Sequence, residues 1–195
     1  DYINHKHITY KHALGNSIEL RDATIETQEE FGHWKIDTVR GTKDKTDDVL
    51  ISLIERKSRL YVALRCPSAR ASDVKETLET WLSTFRNNVE LRLLCKTITA
   101  DNGLEFADIS DLEDEILSII LQGPIPLGPD SNERHNDLLR RFIPKGKRIE
   151  SISEHTLCRT LHWCNNLPRK ILHYKTPQEV NRIVDLNTVQ FHVAI

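Results

Sequence analysis

Three carboxylates in this chain stand apart by their settings. Asp37 lies inside an apolar, β-prone run, FGHWKIDTVRG (31–41). Side chains alternate between faces along a strand, so Ile36 and Asp37 point opposite ways and the acid lies on one surface of a sheet. Asp101 opens the turn Asp-Asn-Gly at the end of a second β-prone run, and Glu133 stands at the start of a helix-compatible segment after a loop rich in Pro and Gly. Acids brought to one point repel each other unless cations neutralise them. Carboxylate oxygens are hard ligands suited to Mg²⁺ or Mn²⁺. Two such ions about 4 Å apart stabilise both the attacking and the leaving oxygen of a phosphoryl transfer, with no covalent protein intermediate. One activates water or a 3′-hydroxyl and the other holds the leaving 3′-oxygen.

Several elements must position these acids. HWKIDTVRG reads as the first long strand, VLISLIER (49–56) as the second and LYVALRC (60–66) as the third, joined by the polar turn 42–47 and the basic turn KSR into an antiparallel meander. Over 71–85 the apolar residues Val74, Leu78, Trp81, Leu82 and Phe85 recur at helical spacing, with Ser72 in the N-cap position. This helix crosses the sheet and leads to a fourth strand, 96–100. Residues 104–117 are helix-compatible, and SIILQ (118–122) is a fifth strand. After GPIPLGPDS come a helix over 132–142, another capped by Ser153 that runs to 165, and a short one opened by Thr176-Pro177. A short strand is expected near 17–20, and the tail 187–195 is an edge strand or disordered. The order describes an α/β chain in which a five-stranded mixed sheet is flanked by helices. It divides into an arm or linker over 1–30, a core over 31–150 and a helical extension and tail over 151–195. Ligands in such sheets collect at the carboxyl ends of strands, where Asp101 lies.

The 195 residues carry a net charge of −2 and a mean hydropathy of −0.46. No apolar run approaches the roughly 20 residues that span a bilayer, and the N-terminus lacks a signal-peptide core. An intracellular chain with no membrane partner is expected. The absence of Met, even at position 1, suggests a fragment or a processed product. The four cysteines lack zinc-site spacing and read as reduced, buried thiols; His5, His7 and His12 read as part of a loose basic segment. The near-neutral total hides a segregation. Residues 105–115 hold six acids and no base, and 140–148 hold five bases and no acid. Such patches bind phosphate locally or are simply solvated helix faces. The three tryptophans read as core.

FGHWKIDTVRG, IERKSRL (54–60), TADNGLEF (99–106), SNERHNDLLRRFIPKG (131–146), the Asn-Asn-x-Pro-Arg-Lys stretch (165–170) and TPQEV (176–180) resemble, in order, successive blocks of the insertion-sequence-thirty family of transposases. That family belongs to the DDE transposase and retroviral-integrase superfamily. The resemblance implies a ribonuclease H-like fold and a catalytic, metal-holding triad at Asp37, Asp101 and Glu133. It also implies two Mg²⁺ or Mn²⁺ ions, and cleavage and joining of transposon-end DNA. A helix-turn-helix region normally precedes this core in the family, so residues 1–30 resemble the linker after it. The 32 positions from Asp101 to Glu133 are slightly fewer than is usual, and ILQGPIPLGPDS lacks the aromatic and Arg-Gly features expected there.

The residues expected at DNA are Arg56, Lys57 and Arg59 in the basic turn, Asn102 after the fourth strand, and Arg134, Asn136, Arg140, Arg141, Lys145, Lys147 and Arg148 on and after the helix of Glu133. Contacts of this kind to phosphate position DNA without reading its sequence. Asn136 either binds DNA, orients Glu133 or caps its helix, and Glu105 reads as a surface acid. The partners expected are transposon-end and target DNA and a second copy of the chain, because paired ends require paired active sites. The compartment is the bacterial cytoplasm, at the nucleoid, or a eukaryotic nucleus. The competing readings are a domesticated, catalytically impaired module that binds DNA or protein, motivated by the altered loop before Glu133, and a nuclease acting on hybrids or junctions.

Overall fold

A computed structural model describes residues 16–17, 28–86, 94–114, 117–122 and 131–181, excluding the side chains of 16, 17, 122 and 131–133. The histidines at 5, 7 and 12, the Pro/Gly loop and the tail after 181 lie outside it. The strands are β1 (Asn16–Ser17), β2 (His33–Arg40), β3 (Val49–Glu55), β4 (Tyr61–Cys66), β5 (Thr97–Asp101) and β6 (Ser118–Gln122). The helices are α1 (Ala71–Arg86), α2 (Ser131–Arg140), α3 (Glu154–Asn165) and α4 (Pro177–Val180).

The sheet order is β1-β6-β5-β2-β3-β4. β2, β3 and β4 form the antiparallel meander, while β5 pairs parallel with β2 and β6 parallel with β5. The five long strands therefore form the mixed, helix-flanked sheet of a ribonuclease H-like fold. The two residues of β1 add a sixth, parallel to β6 at Ile120 and Leu121.

Each face of the sheet has its own apolar layer. α1 lays Val74, Leu78, Trp81, Leu82 and Phe85 on the face that carries Trp34, Ile36, Ile51, Leu53, Ile98 and Ala100. Trp34 meets Trp81 edge-on at 5.2 Å, and the Trp34 indole N–H donates to the Leu94 carbonyl at 2.8 Å. On the other face Val39, Leu50, Ile54, Tyr61 and Ala63 pack with Leu139 of α2 and Leu157, Leu161 and Cys164 of α3. β3 is buried along its whole length because both faces are covered, which explains its continuous apolar run. α3 thus contributes to the second apolar layer.

Some local expectations shift. α1 begins at Ala71, so Ser72 sits within its first turn and its hydroxyl bonds to Asp73. Residues 104–114 do not form a long helix; two 3₁₀ turns, Leu104–Phe106 and Ile109–Leu112, bury Phe106, Ile109 and Leu112. Ser153 caps α3, and Thr176 with Glu179 forms a reciprocal capping box on α4. Trp163 is half-buried at the rim, edge-on to the exposed Phe142 at 5.0 Å, while Trp34 and Trp81 are core. The four cysteines are free; Cys66, Cys95 and Cys164 are buried and Cys158 is half-buried.

The turn after β3 is built around the buried carboxylate of Glu55. It accepts the Ser58 backbone N–H and hydroxyl at 2.6 Å each and the Gly32 N–H at 3.2 Å. Replacing an acceptor-only group by an amide opposes donor to donor in a dry site. Glu55→Gln is expected to cost about 2 kcal/mol, read as a lower urea midpoint at unchanged slope.

Candidate active site

Register and parity bring Asp37 and Asp101 to the same face of the sheet. β2 and β5 pair as His33 with Thr97 and Lys35 with Thr99, and the His33 ring contacts the Thr97 hydroxyl at 2.9 Å, so aligned residues share a face. Asp37 and Asp101 each follow the last pair of that ladder, Lys35 with Thr99, by two residues, on neighbouring parallel strands. Trp34, Ile36, Ile98 and Ala100 point to α1, so Asp37 and Asp101 lie on the opposite face, which α2 covers. Asp101 is the last residue of β5 and is exposed. Glu133 falls in the first turn of α2, and its side chain is outside the described residues.

Asp37 is half-buried and firmly held. Its Oδ1 accepts the Thr38 N–H at 2.7 Å and its Oδ2 accepts from Asn136 Nδ2 at 2.8 Å. Asn136 Oδ1 in turn accepts the Tyr61 hydroxyl at 2.8 Å. Burial pushes the Tyr61 phenol far above its ordinary range, so it remains a neutral donor. Tyr61 is itself anchored: Asn165, fully buried at the end of α3, accepts its backbone N–H at 2.9 Å and donates to its carbonyl at 2.8 Å. Both ends of the Asn136 amide are thus engaged within the protein.

Asp101 Oδ1 accepts the Gly103 N–H at 3.0 Å. A Cβ on Gly103 would meet Glu105 Oε2 at 2.8 Å and Asp101 Oδ1 at 2.9 Å, so the two carboxylates crowd one point. Glu105 is half-buried and faces the Arg40 guanidinium at 3.8 Å. It belongs to the site's surroundings, although its sequence context reads as surface. Tyr61 and Asn165 were also not legible as site residues; the only signal was that Asn165 opens one of the resembling blocks. Among the described residues no three His, Cys, Asp or Glu side chains converge as a metal-ligand set.

The basic residues separate into two groups. Arg56 and Arg59 are only 9% and 8% exposed, and the Arg59 guanidinium bonds to Gln28, so this turn faces inward. Lys57 lies over the Phe31 ring at 4.1 Å. All three thus make contacts within the fold. Arg140 donates to the Arg40 carbonyl at 2.7 Å, and Arg148 pairs with Glu150 at 2.8 Å and with Asp44 at 2.5 Å. Arg134, Arg141, Lys145 and Lys147 are exposed on and just after α2, with Arg141 above the Trp163 ring at 5.7 Å, and Asn102 is exposed beside Asp101. In the acidic segment, Lys75 pairs with Asp111 at 2.6 Å and Arg86 with Asp114 at 2.9 Å. Part of that segment is thereby neutralised by α1.

The chain is 31% identical over 173 residues to a probable transposase for the insertion-like sequence element IS1161 of Streptococcus salivarius, covering 88% of this chain and 47% of that protein. It is 30% identical over 168 residues to the transposase InsI of element IS30C of Escherichia coli K12, covering 85% and 42%. With the transposase of element IS4351 of Bacteroides fragilis it shares 31% over 177 residues, covering 89% and 52%. No protein-family model matches the chain. Among the described residues no helix is long and apolar enough to cross a membrane.

Proposed function

Because this chain is a homologue of the IS30-family transposases and spans about half the length of the relatives it matches, we propose that it is the DNA strand-cleavage and strand-transfer segment of such an enzyme. The observation that carries this reading is the placement of Asp37 and Asp101 on one sheet face, under the helix whose first turn holds Glu133.

The donor set suits two Mg²⁺ or Mn²⁺ ions. Asp37, Asp101 and Glu133 offer only carboxylate oxygens, the hard donors that these ions take. When bound, the ions supply a polarised nucleophile and charge neutralisation at the phosphate. Asn136 and the Thr38 N–H orient the Asp37 carboxylate and keep it from rotating. The Gly103 N–H does the same for Asp101. Arg134, Arg141, Lys145 and Lys147, exposed on and just after α2, hold the DNA backbone through phosphate contacts that are independent of base sequence. Transposon ends and target DNA are the substrates, and two copies of the chain act on a pair of ends.

Incubation of the protein with supercoiled DNA bearing the element's ends tests this directly. Nicking that requires Mn²⁺ or Mg²⁺, stops with chelator and is lost in Glu133→Gln is expected. Metal-independent nicking, undiminished nicking by the variant, or no nicking by the unaltered protein overturns the proposal; the last result, with DNA binding retained, identifies a domesticated module instead.

A further inference from the structure

We infer that Tyr61 and Asn136 are positioning residues that set the orientation of the Asp37 carboxylate and couple it to the helix carrying Glu133. The inference rests on the functional reading above only for its consequence in catalysis; the hydrogen-bonded chain stands on geometry.

An ionised carboxylate can only accept, so Asn136 must turn its NH₂ toward Asp37. The Asn136 carbonyl then needs a donor, and the Tyr61 hydroxyl at 2.8 Å supplies it. If the hydroxyl is removed, nothing in this chain of contacts distinguishes the two amide orientations except Asp37 itself. Tyr61 has little freedom to move. Its backbone is held on both sides by Asn165, its side chain is 0% exposed, and its ring packs against His135 at 5.6 Å. The chain of contacts is therefore anchored at the junction of β4 with α3 and ends on the acid of β2.

Asn136 lies three residues after Glu133, which places the two on neighbouring turns of one side of α2. The Asn136–Asp37 bond consequently ties the position of α2 to the strand bearing the first acid. Residues that orient a metal-binding carboxylate typically change metal affinity when removed, without themselves touching the metal.

The test uses Tyr61→Phe, Asn136→Ala and the double variant. In the metal-free protein, the Asn136 side-chain NH₂ signals in a ¹⁵N NMR spectrum are expected to be distinct and slowly exchanging. In Tyr61→Phe they should shift and lose protection while the backbone spectrum is otherwise preserved. In nicking assays each single variant is expected to raise the Mn²⁺ concentration at half-maximal rate about tenfold, with the DNA concentration dependence unchanged. The double variant should match Asn136→Ala, because Tyr61 acts through Asn136. Unchanged Asn136 signals in Tyr61→Phe, or a further tenfold effect of Tyr61→Phe in the Asn136→Ala background, overturns the inference. Absence of nicking by the unaltered protein would instead defeat the functional proposal, and the spectrum would still decide this one.

Discussion

Asp37→Asn is expected to lower metal-dependent nicking by at least about 10³-fold, roughly 4 kcal/mol in the barrier, while leaving the protein folded. The substitution keeps shape and volume in a half-buried position, removes the charge and replaces one acceptor oxygen by an NH₂ donor. Its single carbonyl oxygen can still accept from Asn136 or from the Thr38 N–H, but not in the geometry of both, so stability should fall by about 1 kcal/mol. A loss of function so much larger than the loss of stability separates a metal-holding carboxylate from a structural one. Calorimetric melting alongside a Mn²⁺-dependent nicking rate makes the comparison. Retention of activity within about tenfold would show that the charge of Asp37 is not used in the reaction.

The second large effect falls on stability and concerns Gly41, the residue that closes β2. A Cβ there would stand 2.1 Å from the Lys147 carbonyl oxygen, 3.0 Å from the Ile149 side chain and 3.1 Å from the Asp47 carboxylate. The nearest obstacle is backbone, so a side chain cannot simply rotate away. The same loop is held by Gly146 N–H donating to the Gly41 carbonyl at 2.8 Å. It is also held by buried Asp47, which accepts from the Ile149 and Glu150 N–H groups at 3.1 and 3.2 Å. Gly41→Ala is expected to cost about 3 kcal/mol, or roughly 6–12 °C in melting temperature for a chain of this size. Gly146→Ala is the contrast, since a Cβ there meets nothing within 4 Å and the backbone at φ +91° supplies only strain, about 1 kcal/mol. Equal effects of the two substitutions would refute the steric account of Gly41. Because this loop carries Lys145 and Lys147, the variant should also weaken DNA binding.

The contrast between Gly41 and the basic turn shows where reading by residue type succeeds and fails. A glycine after an apolar strand announces an end to the strand, and that much is local. That the Lys147 carbonyl, from a distant segment, would stand 2.1 Å from a Cβ at this position is not. Likewise, three basic residues in the IERKSRL turn suggest solvent or phosphate by composition alone. The buried Glu55 carboxylate, the inward-facing Arg56 and Arg59, and Lys57 over Phe31 follow only from how the turn folds back on Gly32 and Gln28.

By itself the sequence determined the period of each element: the alternation of β2, the continuous apolar run of β3, the helical stripe of α1 and the caps of α3 and α4. Period and capping depend on neighbours within a turn or two, so they are written locally. Asp37 was legible as a candidate for the same reason, as a polar residue set in an apolar run. Only the tertiary structure decided what surrounds them. That Asn136 bonds Asp37 and Tyr61, that Asn165 anchors Tyr61, and that Glu105 crowds Asp101 depend on parallel register and on helix docking. Those relations join residues up to 104 positions apart, and no local pattern encodes them, because the energy that selects them is the burial of two apolar layers on opposite faces of one sheet.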